Sequence, residues 1–182
     1  MVGEGVLHRE SAIAIRVRLP ADLERFRVAH VPNAAFGVPA HVTLIYPFVP
    51  AERLDAAVRR RVARALASQP PFSFRLSAVR RWPNTLYLAV DPAAPFEGMV
   101  RSLEAAFPEY PPYGGAFPYV PHLTLAEGEE SAIAKLVAPP LRAGRHEVTR
   151  VLLIAQDQAG RWRLRWTFAL PRVGPGTRSR AR

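Results

Sequence analysis

Two short segments of one pattern, His41-Val42-Thr43-Leu44 and His122-Leu123-Thr124-Leu125, stand 81 residues apart in the chain. Each lies in an aliphatic run that predicts a strand, and each follows a predicted strand and helix in the same order. The order strand, helix, His-x-Thr strand, helix, strand covers residues 13 to about 82 and recurs over 86 to about 155. A final strand follows at 161–170. A repeat this long excludes a solenoid and predicts two related lobes, each an antiparallel sheet with helices on one face.

The helices of this repeat are predicted from apolar residues at helical spacing. They cover residues 21–27, 51–68, 95–107 and 129–137. The stretch 108–121 holds five prolines and two glycines and is predicted to be a loop. Residues 1–172 therefore form one bilobal domain, and residues 173–182, rich in glycine and arginine, are predicted to be a disordered basic tail.

Composition excludes several classes of protein. With 49% hydrophobic and 22% charged residues the chain is globular rather than wholly disordered. It contains no cysteine, which excludes disulfides, thiolate metal sites and cysteine nucleophiles and fits a reducing compartment. Since no run of eighteen apolar residues or signal peptide is present, we expect no membrane association, a cytoplasmic location and a monomer.

The net charge of +10 favours anionic partners, with nucleic acid or phosphate esters as the leading candidates. The excess of arginine over lysine, together with abundant alanine and proline, is equally typical of a GC-rich genome, so both explanations stay open. In a sheet with helices on one face, the other face is wet. The residues expected there are Arg16, Arg18, Tyr87, Arg163 and Arg165.

In each motif the histidine and threonine point to one face of the strand, because residues i and i+2 share a side. Val42, Leu44, Tyr46 and Phe48 are expected on the opposite, core-facing side, so Tyr46 is interpreted as structural. The same alternation places Trp162, Leu164, Trp166, Phe168 and Leu170 on one face of the last strand. His8, His30 and His146 lie outside the repeated motif and are interpreted as structural.

Two such His-Thr pairs can perform phosphoester chemistry. Imidazole titrates at about 6.5, so one histidine can act as general base and its partner as general acid on opposite sides of a phosphate. The two threonine hydroxyls can donate to non-bridging phosphate oxygens. Neither motif contains an acidic residue, so no metal ion and no other cofactor is predicted.

The paired H-x-T-L motifs, the proline near each (Pro39, Pro121), the repeat and the length resemble the 2H phosphoesterases, which include the bacterial 2′-5′ RNA ligase-like proteins. The resemblance covers about residues 11–171. It implies an α+β fold, bilobal and pseudo-symmetric, in which two antiparallel sheets form a central cleft and helices cover the outer faces. It also implies metal-independent hydrolysis of 2′,3′-cyclic phosphates.

Carried over by position, the resemblance implies that His41 and His122 are the acid and base. Thr43 and Thr124 are then the hydroxyls that hold the phosphate. Which histidine is the base stays open. Tyr119, in the loop before His122, either stacks on a nucleobase or packs within the loop, and Tyr113 and Phe117 share this loop.

One departure concerns charge beside the second motif. Ligase-like members commonly carry arginine near it, whereas here Glu127 follows, and a carboxylate repels a phosphate. Three explanations stay open: Glu127 points away, Arg163 and Arg165 supply the cation and bind substrate, or the substrate differs.

The sequence therefore predicts a phosphodiesterase that acts on a cyclic phosphate or 2′-5′ linkage of RNA or a nucleotide. Two alternatives remain. One is an RNA-binding module with little or no turnover, and the other is an enzyme for a small non-RNA cyclic phosphate such as an ADP-ribose derivative.

Overall fold

The computed structural model describes residues 8–141 and 144–171, so the predicted basic tail at 173–182 lies outside the described residues. Within these two ranges, eight strands form two four-stranded antiparallel sheets. The strands are β1 Ser11–Arg16, β2 His41–Ile45, β3 Phe72–Trp82, β4 Thr85–Asp91, β5 His122–Glu127, β6 Arg145–Val148, β7 Arg150–Gln156 and β8 Trp162–Ala169. The α-helices are α1 Ala21–His30, α2 Ala56–Leu66, α3 Ala94–Ala106 and α4 Glu130–Ile133.

The two sheets have matching strand orders, β2-β1-β7-β8 and β5-β4-β3-β6. The prediction of an α+β fold with two antiparallel sheets is therefore confirmed. One detail differs from the prediction, because the repeats exchange strands: β3 joins β4 and β5, and β7 joins β1 and β2. The tight turn between Trp82 and Thr85 pairs β3 directly with β4 as a hairpin, which carries it into the second sheet.

Two helices are shorter than their apolar patterns predict. The helix predicted at 51–68 begins at Ala56, because the Asp55 side chain accepts a hydrogen bond of 2.8 Å from the Val58 amide and caps it there. Residues Ala51–Arg53 form a separate 3₁₀ turn. The helix predicted at 129–137 is the single turn α4. Within the described ranges, no helix combines the length and the apolar character that crossing a membrane requires.

Each His-x-Thr strand contains a one-residue register shift at the leucine of its motif. In β2, Thr43 pairs with Ala14 but Ile45 pairs with Ile13, which leaves Leu44 as the extra residue. In β5, Leu125 is the extra residue between the partners of Tyr87 and Leu86. Such a bulge reverses the alternation of faces beyond it. The shift therefore corrects the prediction for Tyr46, which leaves the core face.

A third register shift, at Arg165, divides the apolar side of β8. Leu153 pairs with Trp166, but Ile154 pairs with Leu164. Trp166, Phe168 and Leu170 belong to the main core or pack against it, whereas Trp162 forms a small separate cluster with Ala12, Val38 and Ile154. The prediction that the five apolar residues of the last predicted strand, 161–170, share one face is wrong for this reason, and Leu164 is 60% exposed.

The main hydrophobic core is one continuous cluster that joins both sheets to the helices. It contains Leu44 and Leu125 from the two motif strands together with Leu66 of α2 and Leu103 of α3. Because each motif strand buries its aliphatic residues in this core, the histidine and threonine of each motif are held on the opposite face.

Candidate active site

The two His-x-Thr motifs meet in one pocket of about 150 Å³ between the sheets. β2 and β5 are edge strands of different sheets and pack against each other. His41, Thr43, His122 and Thr124 all line the pocket, and each of these side chains is half-buried. The other polar lining residues are Arg27, Asn33, Tyr46, Tyr113, Glu127 and Trp162.

The same backbone contact orients both imidazoles. His41 Nδ1 lies 2.7 Å from the Pro39 carbonyl oxygen, and His122 Nδ1 lies 2.7 Å from the Val120 carbonyl oxygen. A carbonyl can only accept a hydrogen bond, so Nδ1 carries the proton in each ring. Nε2 of each neutral imidazole is therefore the nitrogen with a free lone pair.

The two motifs differ in what the histidine contacts next. His41 Nε2 lies 3.0 Å from Thr43 Oγ1, and the hydroxyl donates because the Nε2 lone pair can only accept. Within the described part of the chain, no equivalent hydrogen bond joins His122 to Thr124. The Thr124 hydroxyl is consequently available to a ligand.

Burial lowers the pKa of both histidines. Desolvation is the main cause that lowers the pKa of His41 to about 4, with further contributions from Arg27 and His122, while its bond to Pro39 acts in the opposite direction. Desolvation also lowers the pKa of His122, against its bond to Val120. Both rings are therefore neutral at pH 7 in the free protein.

Aromatic side chains surround His122. Its ring centroid lies 4.7 Å from that of Trp82 in an edge contact and 5.4 Å from that of Tyr87. Tyr87 was expected on a wet face, but it is only 6% exposed because Trp82 stacks on it at 4.0 Å. Tyr113 contributes a further ring, 6.5 Å away.

Arg27 is the cation of the pocket, and the sequence interpretation missed it. Its side chain lines the pocket, yet the residue is only 3% exposed. Nη2 donates to Glu24 Oε1 and to the Val38 carbonyl oxygen, both at 3.0 Å. The sequence signal that could have identified Arg27 is its position four residues after Leu23. This spacing places both residues on the inner, buried face of α1.

Tyr46 and Glu127 line the pocket at matching positions, each five residues after the histidine of its motif. The Tyr46 hydroxyl donates to Glu10 Oε1 at 2.8 Å, and burial, with the neighbouring Glu10, raises its pKa to about 12. Desolvation raises the pKa of the Glu127 carboxyl. Because Glu127 lines the pocket, the explanation in which it points away from the site does not hold.

Three residues predicted to bind substrate do not line this pocket. Tyr119 packs against the core, and its hydroxyl donates to the Thr43 carbonyl oxygen at 2.9 Å. Arg163 forms an ion pair of 3.0 Å with Asp157, and Arg165 lies over the ring of Trp166. The structure thus brings together the four motif residues but not Tyr119, Arg163 or Arg165.

Two polar groups in the pocket wall have no hydrogen-bond partner among the described residues. They are the Tyr113 hydroxyl and the Trp162 indole Nε1, both buried. Tyr113 also has a left-handed backbone, with φ of 55°, which is rare for an aromatic residue. Strain and unsatisfied donors of this kind often accompany ligand sites.

The donor set does not form a metal site. Within residues 8–141 and 144–171, no three or more histidine, aspartate or glutamate side chains converge in a way that could hold a metal ion. The pocket offers two imidazoles on opposite strands and a single carboxylate instead.

Comparison with known proteins identifies this architecture. A family model described as the 2′-5′ RNA ligase superfamily matches residues 15–160, a range that includes both motifs. No curated protein matches the chain significantly by sequence.

Solved structures share the fold at low sequence identity. E. coli LigT in complex with 3′-AMP is 22% identical, with a TM-score of 0.59, and the match covers 91% of this chain and 99% of that one. TT0787 of Thermus thermophilus is 20% identical, with a TM-score of 0.59 and coverage of 91% and 100%. E. coli LigT in complex with NADP+ is 22% identical, with a TM-score of 0.56 and coverage of 90% and 98%.

Proposed function

Because the chain belongs to the 2′-5′ RNA ligase superfamily of 2H phosphoesterases, we propose that it is a metal-independent phosphodiesterase. Its substrates are 2′,3′-cyclic phosphates, or 2′-5′ linkages, of RNA or nucleotides. E. coli LigT, which shares the fold, has been solved with 3′-AMP, ATP and NADP+, which supports a nucleotide ligand here.

The single observation that carries the proposal is the pairing of the two imidazoles. Both line one small pocket, and the same contact to a carbonyl two residues earlier leaves the Nε2 of each ring to exchange a proton. Two rings with matched orientation on β2 and β5 suit a reaction in which a neutral imidazole removes one proton and a protonated imidazole delivers another.

We assign His41 as the general base and His122 as the general acid. His41 suits the role of base because its pKa is about 4, so the ring is unprotonated over most of the pH range, and its Nδ1 contact to the Pro39 carbonyl fixes the direction of Nε2. No positively charged side chain contributes to the lowered pKa of His122. A bound phosphate anion can therefore favour protonation of its ring.

In hydrolysis, His41 Nε2 takes a proton from water as the water oxygen attacks phosphorus. The bond between phosphorus and the ribose oxygen breaks, and His122, which is protonated at Nε2 when the phosphate anion is bound, donates that proton to the oxygen. The Thr43 hydroxyl, which turns from His41 to the bound phosphate, and the Thr124 hydroxyl donate to the non-bridging oxygens. Arg27 adds a positive charge that stabilises these oxygens. Proton exchange with solvent then restores both imidazoles.

Hydrolysis of 2′,3′-cyclic AMP in the presence of EDTA tests this function. We expect His41→Ala and His122→Ala each to lower kcat by at least about a hundredfold, in the range typical of general acid and base groups. His8→Ala is the matched control, because His8 is exposed and does not line the pocket. Activity that EDTA abolishes, or that both pocket variants retain, contradicts the proposal.

Two alternative functions have some support. The net charge of +10 fits an RNA-binding module, which would bind RNA with a steep salt dependence and without hydrolysis. The small pocket fits a small non-RNA cyclic phosphate such as an ADP-ribose derivative, which a substrate panel would reveal. The monomeric state and the cytoplasmic location stay predictions from the sequence.

A further inference from the structure

Glu127 places in the wall of the pocket a carboxylate that has no partner among the described residues. No described side chain or amide donates a hydrogen bond to it, and no described basic residue forms an ion pair with it. It lies on the same strand as His122 and Thr124, at the end of β5. The residue is exposed, so water can reach the carboxylate in the free protein.

The neighbouring polar groups do not compensate this charge. The Tyr46 hydroxyl already donates to Glu10, and Arg27 already donates to Glu24 and to the Val38 carbonyl oxygen. The Tyr113 hydroxyl and the Trp162 indole are donors without partners in the described part of the chain, and neither bonds to Glu127. A ligand that displaces the water must therefore supply its own donor to Glu127, or leave a desolvated charge unpaired.

The size of the pocket limits which part of a ligand can do this. Its volume of about 150 Å³ is close to that of a cavity that holds a single benzene ring. The phosphate and the sugar ring attached to it fill such a space, whereas a nucleobase must extend beyond it. A sugar hydroxyl is the donor that such a ligand can offer beside its phosphate, and a second phosphate on the same sugar would be repelled by Glu127.

We propose that Glu127 is a sugar-hydroxyl subsite that selects cyclic phosphates whose sugar carries a free hydroxyl and no second phosphate. The inference rests on the proposed function, because the histidines must hold the scissile phosphate in the same pocket. The substrate class that follows is a small, singly charged cyclic phosphate rather than the phosphorylated end of a long RNA.

Two substrates that differ by one group test this subsite. They are adenosine 2′,3′-cyclic phosphate and the same nucleotide with an additional 5′-phosphate, and the measurement is the ratio of their kcat/KM values. We expect the wild-type ratio to exceed the Glu127→Gln ratio by about tenfold in favour of the less charged substrate, the scale of one partly screened charge pair. Glu127→Arg should shift the preference further toward the substrate with two phosphates.

Glu129→Gln is the matched control, because Glu129 is exposed, lies two residues away and does not line the pocket. It removes the same charge from the surface and should leave the ratio unchanged. The comparison of ratios cancels the attraction of the basic surface for any phosphate. Equal ratios in the wild type, Glu127→Gln and Glu127→Arg overturn the subsite while hydrolysis itself still stands. If the wild type hydrolyses neither substrate, the proposed function is overturned, and the subsite with it.

Discussion

Tyr46 and Glu127 occupy equivalent positions in the two halves of the molecule, and both line the pocket that holds the histidines. Each follows its histidine by five residues, and a one-residue register shift at the preceding leucine turns each toward the pocket. One half thus presents a phenol that donates to Glu10, and the other presents a carboxylate that no residue of the described ranges pairs with. The pocket is symmetric in its imidazoles and asymmetric in the groups beside them.

The Thr43 hydroxyl should contribute through the phosphate to which it turns from His41 Nε2. Thr43→Val removes this donor to a non-bridging oxygen, so we expect a loss of kcat of about tenfold or more, the scale of one hydrogen bond that acts in the transition state. Thr43→Ser keeps a hydroxyl and should retain most of the activity. Equal activity of Thr43→Val and Thr43→Ser in steady-state assays would show that the hydroxyl is not used.

The pH dependence of kcat/KM should peak below neutrality. His41 must be unprotonated, so activity rises as pH increases through about 4. His122 must be protonated, and since its pKa lies below 6.5, activity falls again before neutral pH. Rate measurements from pH 3.5 to 8 check this, and a profile that keeps rising above pH 7 would contradict the assignment.

Arg27 should set the acid limb of that profile. Its charge helps to lower the pKa of His41, so Arg27→Met should move the acid limb to higher pH and weaken binding of the anionic product. The variant leaves Glu24 unpaired, so its fold should first be verified by circular dichroism. An unshifted limb in a folded variant would show that Arg27 does not act on His41.

Burial of neutral His41 should make stability depend on pH. Its pKa is about 4 in the folded protein and about 6.5 when unfolded, so the unfolded chain binds more protons between these values. The free energy of unfolding therefore falls as pH decreases from 6.5 to 4, by up to about 3 kcal/mol. Urea titrations of the wild type and His41→Gln at pH 7 and pH 4.5 check this, and an identical pH dependence in both would refute it.

The Tyr119 hydroxyl should act as a positioning group rather than as a stacking surface. It donates to the Thr43 carbonyl oxygen from the loop that leads to His122, so it ties the two motifs together. Tyr119→Phe should lower kcat by about fivefold, the scale of one net hydrogen bond, with little change in KM. A rise in KM with constant kcat would favour contact with the nucleobase instead.

Arg163 and Arg165 should matter for long substrates only. Both lie outside the pocket, on the exposed edge strand β8. Replacing both by Gln should leave kcat/KM for 2′,3′-cyclic AMP unchanged but raise KM for an RNA oligonucleotide with a cyclic phosphate end, most clearly at low salt. An equal loss of kcat/KM on both substrates would show that these arginines act in the active site.

The sequence by itself determined the fold class and the core of the site. Period-two alternation places His41 and Thr43 on one face and aliphatic residues on the other, and the second motif repeats this pattern around His122. These properties follow from local backbone geometry and therefore can be predicted from the order of residues.

Only the tertiary structure decided what surrounds the histidines. Register shifts at Leu44, Leu125 and Arg165 reverse which face of the strand the neighbouring side chains occupy. They change the faces of Tyr46, Glu127 and Trp162, respectively. A shift of one residue cannot be recognised from the pattern of residue types alone. Arg27 reached the pocket from α1, an element that carries no motif. Such contacts arise from how elements pack across long sequence separations, and local pattern cannot specify them.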